Sequence, residues 1–164
     1  INFFSATAVS LPIYRHMRDQ GAGRIVITTS AAGLYGEHGM AAYSSSKAAL
    51  IGLMRVIALE GAGRGVHANA VAPYALTGMT EGYVSDEGGR AMPPEHVPPV
   101  ISWLMTEACP LNGETLIAGA GKVRRVVRIE GQGVEFDQPD AVSPADLDAT
   151  LGRGWNRDDV ADLA

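Results

Sequence analysis

The sequence has one cysteine and no run of apolar residues long enough to cross a bilayer. A single cysteine forms no internal disulfide and no thiolate metal site, which excludes disulfide-stapled scaffolds and zinc ribbons. A membrane-spanning helix needs roughly 18 apolar residues, and a secretion signal needs a basic segment before a short apolar run. Neither pattern is present, so we expect a cytoplasmic protein with no membrane partner.

Basic residues are also in the minority, with 13 Lys and Arg against 18 Asp and Glu and a formal net charge of −5. Nucleic-acid binding needs a net basic face, so we expect no nucleic-acid partner. The acidic excess is concentrated in residues 135–164, which hold 8 acidic and 2 basic side chains. The four histidines are scattered without the spacing of metal ligands, and we expect no metal.

Helix and strand patterns alternate along residues 1–121. Helical spacing of apolar residues predicts a helix over residues 2–18 (Phe4, Ala8, Leu11, Met17), a long helix over 41–62, and a helix that begins at 93–95 and buries a stripe from Val97 to Met105. Short apolar runs predict buried strands at 24–29, at 66–72 with Pro73 ending the strand, and at 114–118. Residues 31–40 and 74–92 are predicted loops.

This alternation predicts an α/β fold with a parallel sheet, in which ligands bind at the carboxyl ends of the strands. Ser30 and Pro73 fall at that edge. Beyond residue 121 the pattern changes to a basic edge strand over 122–129 and a short tail helix. The tail helix is indicated by Ser143 as N-cap, Pro144 in the first turn and Asp146 as an early acid.

The basic residues of the predicted edge strand allow two interpretations. As a solvated, charged edge, they would prevent pairing with other chains. Alternatively, they would lie near the phosphates of an acyl carrier. The residues in question are Lys122, Arg124, Arg125 and Arg128.

Tyr43 and Lys47 are four residues apart near the start of the long predicted helix, so both side chains leave the same face. An ammonium about 4 Å from a phenol favours the phenolate, so the pair can act as a general acid and base. Lys47 is one of only two lysines among 13 basic residues. Two solvated helix residues would show the same spacing, and Ser30 could equally be a turn former.

Asn2, Ser30, Tyr43 and Lys47, taken together with their order on helix, strand end and helix, resemble the catalytic tetrad of the short-chain dehydrogenase/reductases. The likeness includes Gly23–Ile27, Tyr43–Leu50 and Asn69–Pro73 and covers roughly residues 1–121. It implies the doubly wound, Rossmann-like α/β fold, with residues 122–164 as an irregular C-terminal extension.

The resemblance implies hydride transfer between a nicotinamide cofactor and a secondary alcohol or ketone. Tyr43 would exchange the proton with the substrate oxygen, and Lys47 would assist it and hold the nicotinamide ribose. Ser30 would bind and polarise the substrate oxygen, while Asn2 would position a water that relays protons from Lys47. The stretch after the second strand, Pro73 with Ala75, Leu76 and Thr77, would contact the nicotinamide.

Within the family, residues 71–80, 92–104 and 112–122 resemble the (3R)-hydroxyacyl-CoA dehydrogenase domain of peroxisomal multifunctional β-oxidation enzymes and their bacterial relatives. That likeness implies an acyl-thioester substrate and NAD, with NADP not excluded. The family's Gly-rich phosphate turn lies upstream of the tetrad Asn, so we expect this chain to be the C-terminal half of a larger domain.

A second hypothesis follows from that expectation. The chain would then be a non-catalytic fragment or a dimerisation partner that lacks its own cofactor-binding half. The helices over residues 2–18 and 41–62 are those that pair between subunits in this family, which implies a homo-oligomer.

Overall fold

A computed structural model describes residues 2–77, 92–130, 135–136 and 142–151. Nine helices and strands lie within those residues, together with 3-10 turns at Ala62–Arg64 and Pro94–His96. In chain order they are α1 (Asn2–Gln20), β1 (Gly23–Thr28), α2 (Ala31–Tyr35), α3 (Ala41–Gly61), β2 (Val66–Tyr74), α4 (Pro98–Leu104), β3 (Thr115–Gly119), β4 (Lys122–Arg125) and α5 (Pro144–Leu151). The chain divides into two compact units, Ile1–Val126 and Val127–Ala164.

The first unit is built on a four-stranded sheet in the order β1-β2-β3-β4. β1, β2 and β3 are parallel, and β4 runs antiparallel to β3. Parallel neighbours need helical crossovers, and α3 and α4 supply them between β1 and β2 and between β2 and β3. The predicted α/β fold with a mainly parallel sheet is therefore confirmed.

Side chains that alternate along the strands fill two separate cores, one on each face of the sheet. One core holds Ile27, Ala68 and Ala70 from the strands and is covered by α1 and α3. The other holds Val71, Leu116 and Ala118, and residues of α4 cover it. Helices on both faces make the sheet doubly wound, as the family resemblance implies.

The apolar residues whose spacing predicts α1 do not all lie on its buried face. Phe4 is 79% exposed and Ala8 is also exposed, whereas Leu11 and Met17 are half-buried. Tyr14 is buried and Phe3 packs against the core. The Tyr14 hydroxyl donates to Glu60 Oε2 on α3 at 3.5 Å, and burial beside this carboxylate raises the pKa of Tyr14.

The predicted loop 31–40 is wrong over its first half, because residues 31–35 form α2. Ser30 caps this helix, its Oγ accepting a hydrogen bond from Ala32 N at 3.2 Å. The predicted stop at Pro73 is also wrong, since β2 continues to Tyr74. The backbone N–H and C=O groups of odd-numbered residues in β2 point toward β1, since Thr29 N donates to Val71 O. β1 ends at Thr28, so it does not extend alongside Pro73. Pro73 therefore lies where no strand needs its missing N–H.

The remaining differences concern where the predicted elements begin and end. The helix predicted to begin at 93–95 has a 3-10 turn there, and α4 follows it. Met105 is 56% exposed rather than part of the buried stripe. The predicted edge strand over 122–129 ends at Arg125. Arg125 donates to both carboxylate oxygens of Glu114, which raises the pKa of the Arg125 guanidinium. Residues 78–91 of the predicted loop lie outside the described residues.

The described part of the second unit contains the predicted tail helix as α5. Ser143 N and Oγ both donate to Asp146 Oδ2, at 2.9 and 2.6 Å, and Asp146 N donates back to Ser143 Oγ at 3.3 Å. This reciprocal pair satisfies backbone donors at the start of the helix. Among the described helices, none is both long and apolar enough to cross a membrane.

Candidate active site

Tyr43 and Lys47 lie together on one face of α3, near the carboxyl end of β1. The Lys47 Nζ atom is 5.7 Å from the centroid of the Tyr43 ring and donates a hydrogen bond to Thr28 O at 3.1 Å. Both side chains are half-buried. The spacing of four residues therefore brings a phenol and an ammonium to the end of a parallel strand, where the fold places ligands.

Ser30 lies two residues after the last residue of β1 and is half-buried at the same edge. Its Oγ accepts the N-cap hydrogen bond from Ala32 N, so the turn-forming role that the sequence left open is present. Accepting this bond does not use the hydroxyl proton. Ser30 can cap α2 and donate a hydrogen bond to a substrate oxygen at the same time.

Two residues that the sequence analysis did not single out hold Lys47 in place. Thr29 is buried, and its Oγ1 donates to the carbonyl oxygen of Lys47 at 2.8 Å. Gly33 on α2 lies so close to α3 that a Cβ there would come within 2.7 Å of Lys47 Cβ and 2.9 Å of Ala48 N. The only sequence signals are a polar residue at a strand end and an isolated glycine between apolar residues.

Asn2 lies in the first turn of α1 and is exposed. Only two residues separate α1 from β1, so the helix runs back along the sheet and its first turn lies toward the carboxyl edge of the strands. Among the described residues, no hydrogen bond joins Asn2 to Tyr43 or Lys47 in this structure. The role of Asn2 in proton relay stays a prediction.

The segment predicted to contact a nicotinamide begins at the end of β2. Pro73 is half-buried in β2, and Ala75 packs against the core on the α4 face. Leu76 N donates to Met92 O at 2.8 Å, and Thr77 is exposed. All four lie at the carboxyl edge of the sheet or directly beyond it.

Comparison with known proteins identifies the family of this chain. Residues 1–88 match the family model described as short chain dehydrogenase. A short-chain type dehydrogenase/reductase of Mycobacterium tuberculosis is 39% identical over 142 residues, which cover 87% of this chain and 50% of that protein. Peroxisomal multifunctional enzyme type 2 of Mus musculus is 38% identical over 118 residues, which cover 72% of this chain and 16% of that protein.

The solved structure of the full-length peroxisomal multifunctional enzyme type 2 of Drosophila melanogaster matches with a TM-score of 0.79 at 28% identity. The match covers 98% of this chain and 29% of that one. The chain therefore spans about half the length of its bacterial relative and a smaller share of the multifunctional enzymes.

Proposed function

Because the chain belongs to the short-chain dehydrogenase family, we propose that it supplies the proton-transfer residues of an oxidoreductase acting on a secondary alcohol or ketone with a nicotinamide cofactor. The observation that carries the proposal is the placement of Tyr43 and Lys47 on one face of α3, at the strand end where Ser30 caps α2. A hydride transfer needs a matched proton transfer at the substrate oxygen, and this cluster contains the groups for it.

Each residue has a separate task in this proposal. The Tyr43 hydroxyl gives its proton to the carbonyl oxygen during reduction and takes it back during oxidation. Lys47 stabilises the phenolate through its positive charge, which Thr28 O holds near the phenol. Ser30 donates its hydroxyl proton to the same substrate oxygen and orients it, and Asn2 positions a water at the carboxyl edge that relays protons from Lys47.

The donor set fits the ribose of a nicotinamide cofactor. An ammonium has three N–H donors, and Lys47 uses one of them on Thr28 O, which leaves two for ribose hydroxyls. Tyr43 also reaches the ribose in the proposal, and Pro73, Ala75, Leu76 and Thr77 form the wall beside the nicotinamide. When bound, the cofactor supplies or accepts the hydride.

The proposed substrate is an acyl thioester that carries a 3-hydroxy or 3-oxo group. Support comes from the resemblance of residues 92–104 and 112–122 to hydroxyacyl-CoA dehydrogenase domains. A further relative, acetoacetyl-CoA reductase of Rhizobium meliloti, is 40% identical over 82 residues, which cover 50% of this chain and 31% of that protein. The cytoplasmic location stays a prediction, and several relatives carry peroxisomal names.

The test is an assay of 3-hydroxybutyryl-CoA oxidation with NAD and with NADP, on the longest polypeptide that carries this sequence. Tyr43→Phe should lower kcat by about 10²–10⁴-fold, the contribution of a positioned general acid and base. Tyr35→Phe is the matched control, because it removes a phenol that is 72% exposed at the end of α2. A Tyr43→Phe enzyme as active as the Tyr35→Phe enzyme would refute the role of Tyr43.

The second proposal is that the chain associates with a copy of itself through α1 and α3. Both helices expose large apolar side chains, with Val9 at 61% and Ile13 at 45% on α1, and Val56 at 50% on α3. Exposed apolar residues on neighbouring helices are typical of protein interfaces. Sedimentation of the Val56→Glu variant should show loss of the oligomer, and an unchanged mass would contradict this interface.

A further inference from the structure

A pocket of about 330 Å³ lies between the C-terminal half of α3 and the loop that leads into β3. Its volume is at the lower end of the range for small-molecule sites in proteins. The walls are mainly aliphatic, with one cationic side chain and one amide: Arg55, Ala58, Leu59, Ala62, Asn112 and Gly113. The pocket lies apart from Tyr43, because Arg55 is twelve residues further along α3, about 18 Å at the helical rise.

The charge in this pocket has no counter-charge among the described residues. Arg55 Nε is buried without a hydrogen-bond partner, and no described carboxylate forms an ion pair with its guanidinium. The acid nearest in sequence to the pocket loop, Glu114, is held in two hydrogen bonds by Arg125. Glu60 on the next turn of α3 accepts the Tyr14 hydroxyl.

The amide in the pocket is already satisfied by the protein backbone. Asn112 Nδ2 donates to Ala58 O at 3.0 Å, and its Oδ1 accepts from Ala68 N at 2.9 Å. Gly113 N donates to Ala68 O at 2.8 Å, so the loop is fixed against α3 and β2. Of the side chains that line the pocket, only Arg55 keeps hydrogen-bond donors for a ligand.

We propose that this pocket binds a small monocarboxylate with an aliphatic body. The carboxylate pairs with the Arg55 guanidinium, whose planar donors match two carboxylate oxygens. The aliphatic body lies against Ala58, Leu59 and Ala62 and removes their surface from water. An inorganic anion has no aliphatic body to contact the apolar wall, and an aliphatic amine has no carboxylate to pair with Arg55. Both should therefore bind less well. The site is additional to the proposed dehydrogenase site and does not depend on it.

The test is a calorimetric titration of the full chain with octanoate, with acetate and octylamine as probes that each lack one half of the ligand. Octanoate should bind saturably, with acetate and octylamine at least about tenfold weaker. Arg55→Met should weaken octanoate binding by about tenfold or more, since a charge-assisted hydrogen bond contributes at least that factor. Ala62→Leu should also weaken octanoate binding, because the larger leucine side chain occupies the pocket.

Arg64→Met is the matched control. Arg64 is an exposed arginine in the 3-10 turn after α3 and does not line the pocket, so octanoate affinity should change less than twofold. Circular dichroism of each variant checks that the helices are intact, and Arg55→Lys, which keeps the charge, should retain part of the affinity.

Two results would overturn the proposal. One is octanoate binding that is absent in the wild type or unchanged in Arg55→Met. The other is a wild-type dimer that dissociates in Arg55→Met without any octanoate binding, since this would assign the pocket to a contact between two copies of the chain.

Discussion

α2 lies close to α3 at Gly33, and Gly33→Ala tests whether this contact positions the proposed catalytic lysine. An added Cβ would lie 2.7 Å from Lys47 Cβ, 2.8 Å from the Lys47 carbonyl carbon and 2.9 Å from Ala48 N. Two of these three atoms belong to the backbone of α3 and cannot rotate away. The methyl group is therefore accommodated only if α2 moves away from α3.

Two opposing effects determine how much Gly33→Ala changes the free energy of unfolding. Overpacking of a well-packed contact costs about 1–3 kcal/mol. Alanine in place of glycine within a helix recovers about 0.5–1 kcal/mol. Because backbone atoms of α3 cannot give way, the cost lies in the upper half of its range, and the net expectation is a loss of about 1–2.5 kcal/mol of unfolding free energy. For a chain of this length, thermal unfolding followed by circular dichroism should show a midpoint about 2–10 °C below that of the wild type.

Gly63→Ala is the matched control, because a Cβ at Gly63 meets no atom within 4 Å. Its stability should equal or exceed that of the wild type, by up to about 1 kcal/mol. In the oxidation assay, Gly33→Ala should also lower kcat by tenfold or more at temperatures where it is folded, since a displacement of about 1 Å in a catalytic group has effects of up to about 10²-fold. Equal unfolding midpoints for the two variants would refute the tight contact.

Asn69 and Asp146 give two further predictions. Asn69 is buried and bonds Leu111 O and Glu114 N, so Asn69→Ala should lower the unfolding free energy by about 2–4 kcal/mol in urea titration; a loss below 1 kcal/mol would contradict the reasoning. The Ser143 hydrogen bonds lower the pKa of Asp146, so its stabilisation of α5 is complete above the ordinary value of 3.8 and is lost as pH falls through the lowered pKa. NMR carbon shifts of residues 144–151 should show that loss in the wild type but not in Asp146→Asn.

Most of the fold is predictable from the sequence because the local residue patterns favour the same helices and strands that tertiary packing needs. Ile25–Ile27 of β1 and Ala70–Ala72 of β2 are β-branched or small apolar residues, a run typical of a strand buried on both faces. α1 is different, because its apolar residues are distributed around all sides of the helix and do not show which side is buried. Phe3 and Phe4 are adjacent, and only tertiary packing decides that Phe3 faces the core.

The pairing of Tyr43 and Lys47 on one face of α3 was predictable from the sequence, whereas the residues that hold Lys47 in position were not. Tyr43 and Lys47 carry a spacing and a chemistry that are visible in the sequence. Thr29 and Gly33 act through distances between elements, which no local pattern reports. α2 was missed for a related reason: five residues with two small side chains form a helix here because Ser30 caps it and Gly33 allows it to pack on α3.

The end of β1 determines the position of Lys47 more than α3 does by itself. Thr28 O accepts a hydrogen bond from the Lys47 ammonium, and Thr29 Oγ1 donates one to the carbonyl oxygen of Lys47. Alternation along β1 turns Thr28 away from β2, because Thr29 N bonds Val71 O, so its carbonyl is available for a side chain. Lysine meets this requirement with a compact ammonium that keeps two further donors, whereas arginine would present a planar fork. Consecutive residues at the end of β1 thus hold both ends of Lys47, and Ser30, the next residue, carries the hydroxyl that we propose binds the substrate oxygen.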